Sequence, residues 1–443
     1  MNRKILRVSD IVDDSPLSGL QIRVLLLCFL VVVLDGFDTA AIGYIAPELV
    51  SGWGIERAQL APAFAAGLFG MLLGSVGLGP VADRYGRKLV LLLSLLILSV
   101  GTLACALAPN IDVLTALRFF TGIGLGGVLP NAITLSSEYS PARRRMLLVT
   151  LSYSGFTLGL ALGGWVAAVL LPLVGWQGLL LCGGLTPLLL LPVLGWLLPE
   201  SICFMAGKPA HVGRLRTILG RIAGRTDWDD VELAGDEPRN RERSPVSALF
   251  TEGRALRTLM LWLTFFCCLF VFYLLTSWLP IILRDSGYAL GQTARIAAML
   301  PFGGVVGGIA MAMLMDRVGA TRVLPPLCLC AAVALALTGT QLGHATALLL
   351  MVFVVGFTLT GALNNLSILA ATFYPTQSRA TGVAWALSAG RAGSIIGSSL
   401  GAWLFAAAGG LQLFFLWLAV PLLAASLALF AMAMRRPGVP QVA

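Results

Sequence analysis

Long apolar runs separated by short polar breaks govern this chain. Twelve can be marked, at 22–47, 60–82, 88–108, 111–137, 146–171, 174–198, 255–281, 291–315, 321–342, 345–372, 379–407 and 409–434. A helix that crosses a bilayer needs about 20 mostly apolar residues, so each run predicts a spanning helix. The one long hydrophilic stretch, Glu200 to Arg257, falls between the sixth and seventh runs. Its arginines are nearly matched by acids (Asp227, Asp229, Asp230, Glu232, Asp236, Glu237), and it reads as a solvated linker with room for helical turns. The predicted organisation is a tail at 1–21, a six-helix half at 22–198, a linker at 199–254, a second six-helix half at 255–434 and a tail at 435–443.

Composition agrees with this pattern. Hydrophobic residues make up 58% of the chain and charged residues 12%, with a mean hydropathy of +0.90, values that belong to a polytopic membrane protein. The net charge of +9 would suggest a nucleic-acid partner only if the cations were gathered on a soluble face, and they are not. Arg3, Lys4, Arg7, Arg84, Arg87, Lys88, Arg143, Arg144, Arg145, Arg317, Arg322, Arg379, Arg435 and Arg436 fall in alternate loops, whereas the opposite loops hold Arg57, Arg284 and Arg295. That bias predicts cytoplasmic termini and linker. A polar start with Asp13 and Asp14 argues against a cleavable signal peptide. Most of the eight cysteines lie inside apolar runs without ligand spacing, and both histidines fall in loops, so no metal site is expected.

The two halves echo each other. Asp83-Arg84-Tyr85-Gly86-Arg87-Lys88 follows the second run and Asp316-Arg317-Val318-Gly319 the eighth, 233 positions later (316 − 83). Glu138-Tyr139-Ser140-Pro141 and Phe373-Tyr374-Pro375-Thr376 repeat at 235 (373 − 138). Two copies of one six-helix unit explain both.

Against this apolar background a few charges stand out. Asp35 and Asp38 sit in the middle of the first run, three residues apart and so on one helical face. An acid there costs about 2.5–3.5 kcal/mol on insertion scales, and two carboxylates a turn apart away from water are not readily both ionised. The pair is therefore a candidate proton carrier, and Gly36, Gly43 and Pro47 would let the helix bend beside it. Arg118 shares a face with Gly122 and Gly126, where a neighbouring helix can come close; it is the candidate coupling residue, with a static ion pair as the competing reading. Arg391, flanked by Gly390 and Gly393, is the candidate anion holder, because a guanidinium meets a carboxylate in a two-pronged geometry. At about 1.5 Å per residue, Asp35 lies about 20 Å and Arg391 about 18 Å from their predicted cytoplasmic helix starts. These depths allow the charged groups to face one cavity. None has a charged counterpart at the repeat offset.

The loop Gly79-x-x-x-Asp83-Arg84-x-Gly86-Arg87-Lys88 resembles the signature of the major facilitator superfamily. Within it the chain is similar to the aromatic acid:proton symporters. The similarity is carried by Asp35-Gly36-Phe37-Asp38, by Arg118-Phe119-Phe120-Thr121-Gly122-Ile123-Gly124-Leu125-Gly126-Gly127, by Pro130-Asn131, by Tyr374-Pro375-Thr376 with Arg379-Ala380-Thr381-Gly382, and by Gly390-Arg391-x-Gly393-Ser394. The second copy of the loop departs from the signature, with Ala312 in place of a glycine and Ala320-Thr321 in place of basic residues.

The resemblance implies an all-α fold of 12 transmembrane helices in two pseudo-symmetric halves. It also implies proton-driven uptake of a benzoate-type acid across the inner membrane by alternating access, by a monomer without a cofactor. Asn364 and Asn365 could then meet a ring hydroxyl, and Tyr153, Phe266, Tyr273 and Trp385 could wall an aromatic ring; helix–helix bonds and plain core packing remain open for each. Gly79, Asp83, Arg84, Gly86, Arg87, Asp316 and Arg317 are expected to gate, with Glu138 latching to Arg143 or Arg144. A symporter of aliphatic or alicyclic acids and a proton-antiport exporter remain alternatives. The glycine patterns lie inside spans with no preceding strand, so they are not nucleotide loops.

Overall fold

The computed structural model describes residues 4–224, 231–234, 246–251, 254–374 and 378–434. Pro375, Thr376, Arg435, Arg436 and the linker acids Asp227 to Asp230, Asp236 and Glu237 lie outside the described residues.

A short strand β1 (Lys4–Arg7) leads into α1 (Val8–Asp14). The helices α2 (Gly19–Trp53), α3 (Leu60–Tyr85), α4 (Arg87–Ala106), α5 (Ile111–Glu138) and α6 (Ala142–Leu197) follow. α6 covers two of the expected spans, 146–171 and 174–198, and turns between them at Gly175 (φ +66°). Next come α7 (Ile202–Ala206), α8 (Val212–Ala223) and strand β2 (Val231–Ala234), which pairs in parallel with β1. The remainder is α9 (Ala255–Asp285), α10 (Leu290–Val318), α11 (Ala320–Thr338), α12 (Ala345–Val355), a π-turn at Gly356–Thr360, α13 (Gly361–Phe373), α14 (Arg379–Ala408) and α15 (Leu411–Met434). Ten helices among the described residues are long and apolar enough to cross a membrane.

The segments read as tail and solvated linker are partly folded. Val8, Ile11 and Val12 of α1 are buried, as are Leu215, Leu219 and Ile222 of α8. α8 is amphipathic, and burying that apolar face gives a short helix its stability.

By packing, the chain divides into two units: Met1–Ala41 with Ala66–Leu160 and Trp176–Asn240, and Ile42–Ala65 with Ala161–Gly175 and Arg241–Ala443. In the first, bare glycine backbone lets helices touch. A Cβ on Gly36 of α2 would overlap the carbonyl of Phe156, and one on Gly159 of α6 that of Val33. On the seam between α3 and α5, Gly70 meets the Phe119 carbonyl, Gly74 that of Ile123, and Gly122 that of Gly67.

The second unit uses the same device. Gly393 and Gly397 of α14 press on the carbonyls of Phe266 and Phe270 of α9, and Gly303 and Gly307 of α10 on those of Phe353 and Phe357. Gly70, Gly74 and Gly86 recur as Gly303, Gly307 and Gly319, each 233 positions on (303 − 70, 307 − 74, 319 − 86). Gly86 (φ +105°) and Gly319 (φ +94°) both open the next helix from a conformation that suits glycine. The sequence echo is therefore a repeat of helix contacts. In the same unit, the later part of α2 packs against α9 through Gly43 and the Thr276 carbonyl, and Arg57 pairs with Asp285 at 2.9 Å.

Gly36 and Gly43 lie inside an unbroken helix. They serve close packing, and α2 does not open into a loop at the acids.

Gly159→Val should force α6 away from α2 and cost about 1–3 kcal/mol through overpacking, measured as a lowered thermal midpoint of the purified protein in detergent.

Candidate functional site

Three helices of the first unit bring the buried charges together. Asp35 and Asp38 lie one turn apart on α2, each 1% exposed, and Arg118 of α5 is 3% exposed. Arg118 Nη1 donates to Asp38 Oδ2 at 3.1 Å, and its Nη2 to the Asp38 carbonyl oxygen at 3.1 Å. Thr102 of α4 donates to Asp38 Oδ1 at 2.5 Å. Asp38 is thus held from α4 and α5 at once, and both carboxylate oxygens are engaged. Neither oxygen of Asp35 has a hydrogen-bond partner, and Arg118 Nε is also unengaged. One guanidinium cannot neutralise two buried carboxylates, and an unpaired buried charge is costly.

The α3–α5 seam explains why Arg118 sits where it does. Gly122, on its face of α5, touches the α3 backbone at Gly67, so the helix cannot slide outward without opening that contact. Thr102 was not found from sequence, since a threonine in an apolar helix ordinarily bonds its own i−4 carbonyl.

The residues considered for substrate divide between the units. Tyr153 belongs to the first; Arg391, Asn364, Asn365, Phe266, Tyr273 and Trp385 belong to the second. Asn365 Nδ2 donates to the carbonyls of Gly361 at 2.8 Å and Gly308 at 3.2 Å, the helix–helix bond left open above. Asn364 beside it is half-buried. Phe266 stacks on Phe270 (centroids 6.2 Å apart), Tyr273 meets Phe272 edge-on, and Trp385 stacks on Trp262 (5.6 Å). Arg391 is half-buried on α14.

The loop between α3 and α4 is held by two acids. Arg87 Nε pairs with Glu138 Oε1 at 3.1 Å, and Ser201 donates to Glu138 Oε2 at 2.5 Å. Glu200 Oε1 accepts the N–H groups of Arg87 (2.8 Å) and Lys88 (3.0 Å), capping the start of α4. Glu138 therefore meets Arg87 where Arg143 or Arg144 was expected. Arg144 is exposed, Arg143 donates to the Ser15 carbonyl, and Arg145 pairs with Asp13 at 3.0 Å. The basic run offers several cations of similar reach, and which one serves is set by how α1 docks. Asp83 reaches Arg87 only at 3.7 Å, Asp316 and Arg317 are exposed, and a Cβ on Gly79 would meet open space. Glu200 and Ser201 were missed; an acid closing the sixth apolar run was the available signal.

Residues 28–339 match the family model described as Major Facilitator Superfamily. The chain belongs to the Major Facilitator Superfamily. It is a membrane transporter of that superfamily and not an enzyme. It is 44% identical over 402 residues to the 4-hydroxybenzoate transporter PcaK of Pseudomonas aeruginosa, covering 90% of this chain and 89% of that protein. It is 41% identical over 431 residues to a gallate transporter of Pseudomonas putida, covering 96% and 94%. Its superfamily fold is also that of a bacterial homologue of the human lysosomal transporter Spinster, at a TM-score of 0.71 and 18% identity, covering 94% of this chain and 97% of that one.

The two aspartates should separate in stability. Asp38→Asn strands Arg118 and should cost about 3–5 kcal/mol. Asp35→Asn replaces a group without hydrogen bonds and should cost less than about 1 kcal/mol. Thermal unfolding of both variants, side by side, checks this.

Proposed function

We propose that this protein imports a small aromatic carboxylic acid, of the hydroxybenzoate type, together with protons across the inner membrane. It works as a monomer with both termini in the cytoplasm, and the proton gradient is its energy source, without a cofactor. The substrate class rests on the names of the relatives at 41–44% identity. The orientation rests on the distribution of Lys and Arg.

The observation that carries the coupling is the unpartnered Asp35 beside a fully engaged Asp38. Asp35 is the proton carrier: in a site closed to water it is the neutral acid, and it loses its proton when water reaches it from the less acidic side. Arg118 holds Asp38 as a fixed anion and keeps its Nε–H in reserve for the moment Asp35 ionises. Arg391 takes the substrate carboxylate, because a guanidinium stays charged and binds it at two points. Asn364 is the one available to a ring hydroxyl, because the Asn365 amide already donates to the Gly308 and Gly361 carbonyls. Neutralising the carboxylate and Asp35 together removes the charge penalty of closing the site. With one proton per monoanion the step is electroneutral and runs on the pH difference; a second proton would add about 2.3 kcal/mol per 100 mV.

In proteoliposomes, Asp35→Asn should abolish accumulation of 4-hydroxybenzoate driven by an imposed pH gradient while retaining counterflow exchange of the labelled acid. Accumulation equal to wild type would remove Asp35 from the coupling. Arg391→Lys should raise the half-saturating concentration by about tenfold, the loss of one charge-assisted hydrogen bond. The same assay run across benzoates, gallate and aliphatic acids such as muconate fixes the substrate class, and preference for an aliphatic acid would overturn it.

A further inference from the structure

Below the ends of α2, α4 and α6, a cavity of about 570 Å³ gathers six basic side chains. Arg23 comes from α2, Arg84 and Lys88 from either side of Gly86, Lys208 from just before α8, and Arg214 and Arg221 from α8 itself. His211 also lines it. α8 buries Leu215, Leu219 and Ile222, which leaves Arg214 and Arg221 exposed on the face that lines the cavity. Among the described residues the one acid in the lining is Glu200, and its Oε1 already accepts the N–H groups of Arg87, Lys88 and Ser201. None of the six cations forms an ion pair among those of the described residues. Lys88 and Lys208 donate to the carbonyl oxygens of Gly195 (2.6 Å) and Arg84 (3.0 Å), so each retains further N–H donors. Positive loops are ordinary in membrane proteins. Six cations drawn from separate segments, around a single carboxylate among the described residues, suit an anion.

The surroundings say which anion. Exposed apolar stripes run along the helices away from the cavity: Ile22, Leu26 and Leu30 on α2; Leu89, Leu93 and Val100 on α4; Leu189, Val193 and Trp196 on α6. Trp196, 86% exposed, lines the cavity as well. Indole rings favour the boundary between polar headgroup and acyl chain. A free phosphate would use the cations and leave the stripes idle, whereas a phospholipid uses both.

We propose that this cavity binds the phosphate headgroup of an anionic phospholipid, with its acyl chains along the α2, α4 and α6 stripes. The lipid thereby ties amphipathic α8 to the base of α4. Such a site would make the connection between the α3–α4 loop and the linker depend on lipid composition.

The test is native mass spectrometry of the purified full chain in a neutral detergent, titrated with dioleoylphosphatidylglycerol, dioleoylphosphatidylcholine or inorganic phosphate. Phosphatidylglycerol should bind saturably and phosphatidylcholine weakly, with inorganic phosphate unable to displace the lipid at equal concentration. Arg23→Gln/Arg214→Gln should weaken phosphatidylglycerol binding about 30-fold, at about 1 kcal/mol for each cation. Arg322→Gln/Arg379→Gln, with the same charge change elsewhere, should leave it intact. Both Arg23 and Arg214 are exposed, and thermal midpoints in lipid-free detergent confirm that the variants are folded. Equal weakening by the two double variants, weakening by neither, or equal binding of phosphatidylcholine overturns the site. Displacement of the lipid by inorganic phosphate assigns the cavity to a soluble anion and overturns the lipid.

Discussion

The bond between Arg118 and Asp38 is the constraint on which this molecule turns. Removing either charge from water is expensive, and their attraction repays that only with good geometry and further hydrogen bonds. Both are supplied: Thr102 takes the second carboxylate oxygen and the Asp38 carbonyl takes the second guanidinium nitrogen. Three helices must hold their relative depth for this to last. The glycine contacts of α5 with α3, and of α2 with α6, hold it by pressing backbone on backbone. The pair also satisfies one aspartate completely, and so leaves its neighbour as the only carboxylate there with nothing to hold it. The asymmetry between two chemically identical groups, one turn apart, is what makes proton carriage conceivable at this place.

The repeat and the chemistry follow different rules. The scaffold is duplicated down to individual glycines: Gly70 and Gly74 find their images 233 positions later in contacts of the same kind, and Gly86 in the same positive-φ start of a helix. The buried charges are not duplicated. α2 carries Asp35 and Asp38 where α9 has Cys268 and Val271 at the same offset, and α5 carries Arg118 where the matching region of α12 reads Met351-Val352-Phe353. Duplication produces a frame that can rock, and departures from symmetry give that frame something to transport. The functional groups are for this reason best sought where the two halves disagree.

Much of this was legible in the sequence because lipid imposes strong rules. Unpaired backbone is not tolerated in a bilayer, so apolar length alone announces helices, and a charge inside such a run is conspicuous enough to single out Asp35, Asp38 and Arg118. What stayed hidden lacked that contrast. Thr102 is unremarked in an apolar helix until a carboxylate is set opposite it. Glu138 had several arginines within plausible reach, and only the docking of α1 and α7 decides for Arg87. The linker read as solvated because its charges balance, and α8 hid its three apolar contacts among arginines.

The π-turn at Gly356–Thr360 has a consequence for how such a chain can change. It accommodates one residue more than an α-helix would, at the very place where Gly356 touches the carbonyl of Leu300. With its length unchanged, a switch of this turn into regular α-form would swing everything beyond it by about 100°. Asn365 would then leave Gly308, and a different side of α13 would face inward. A shift of hydrogen-bond register by one residue can thus re-aim an entire wall without replacing a single amino acid in it.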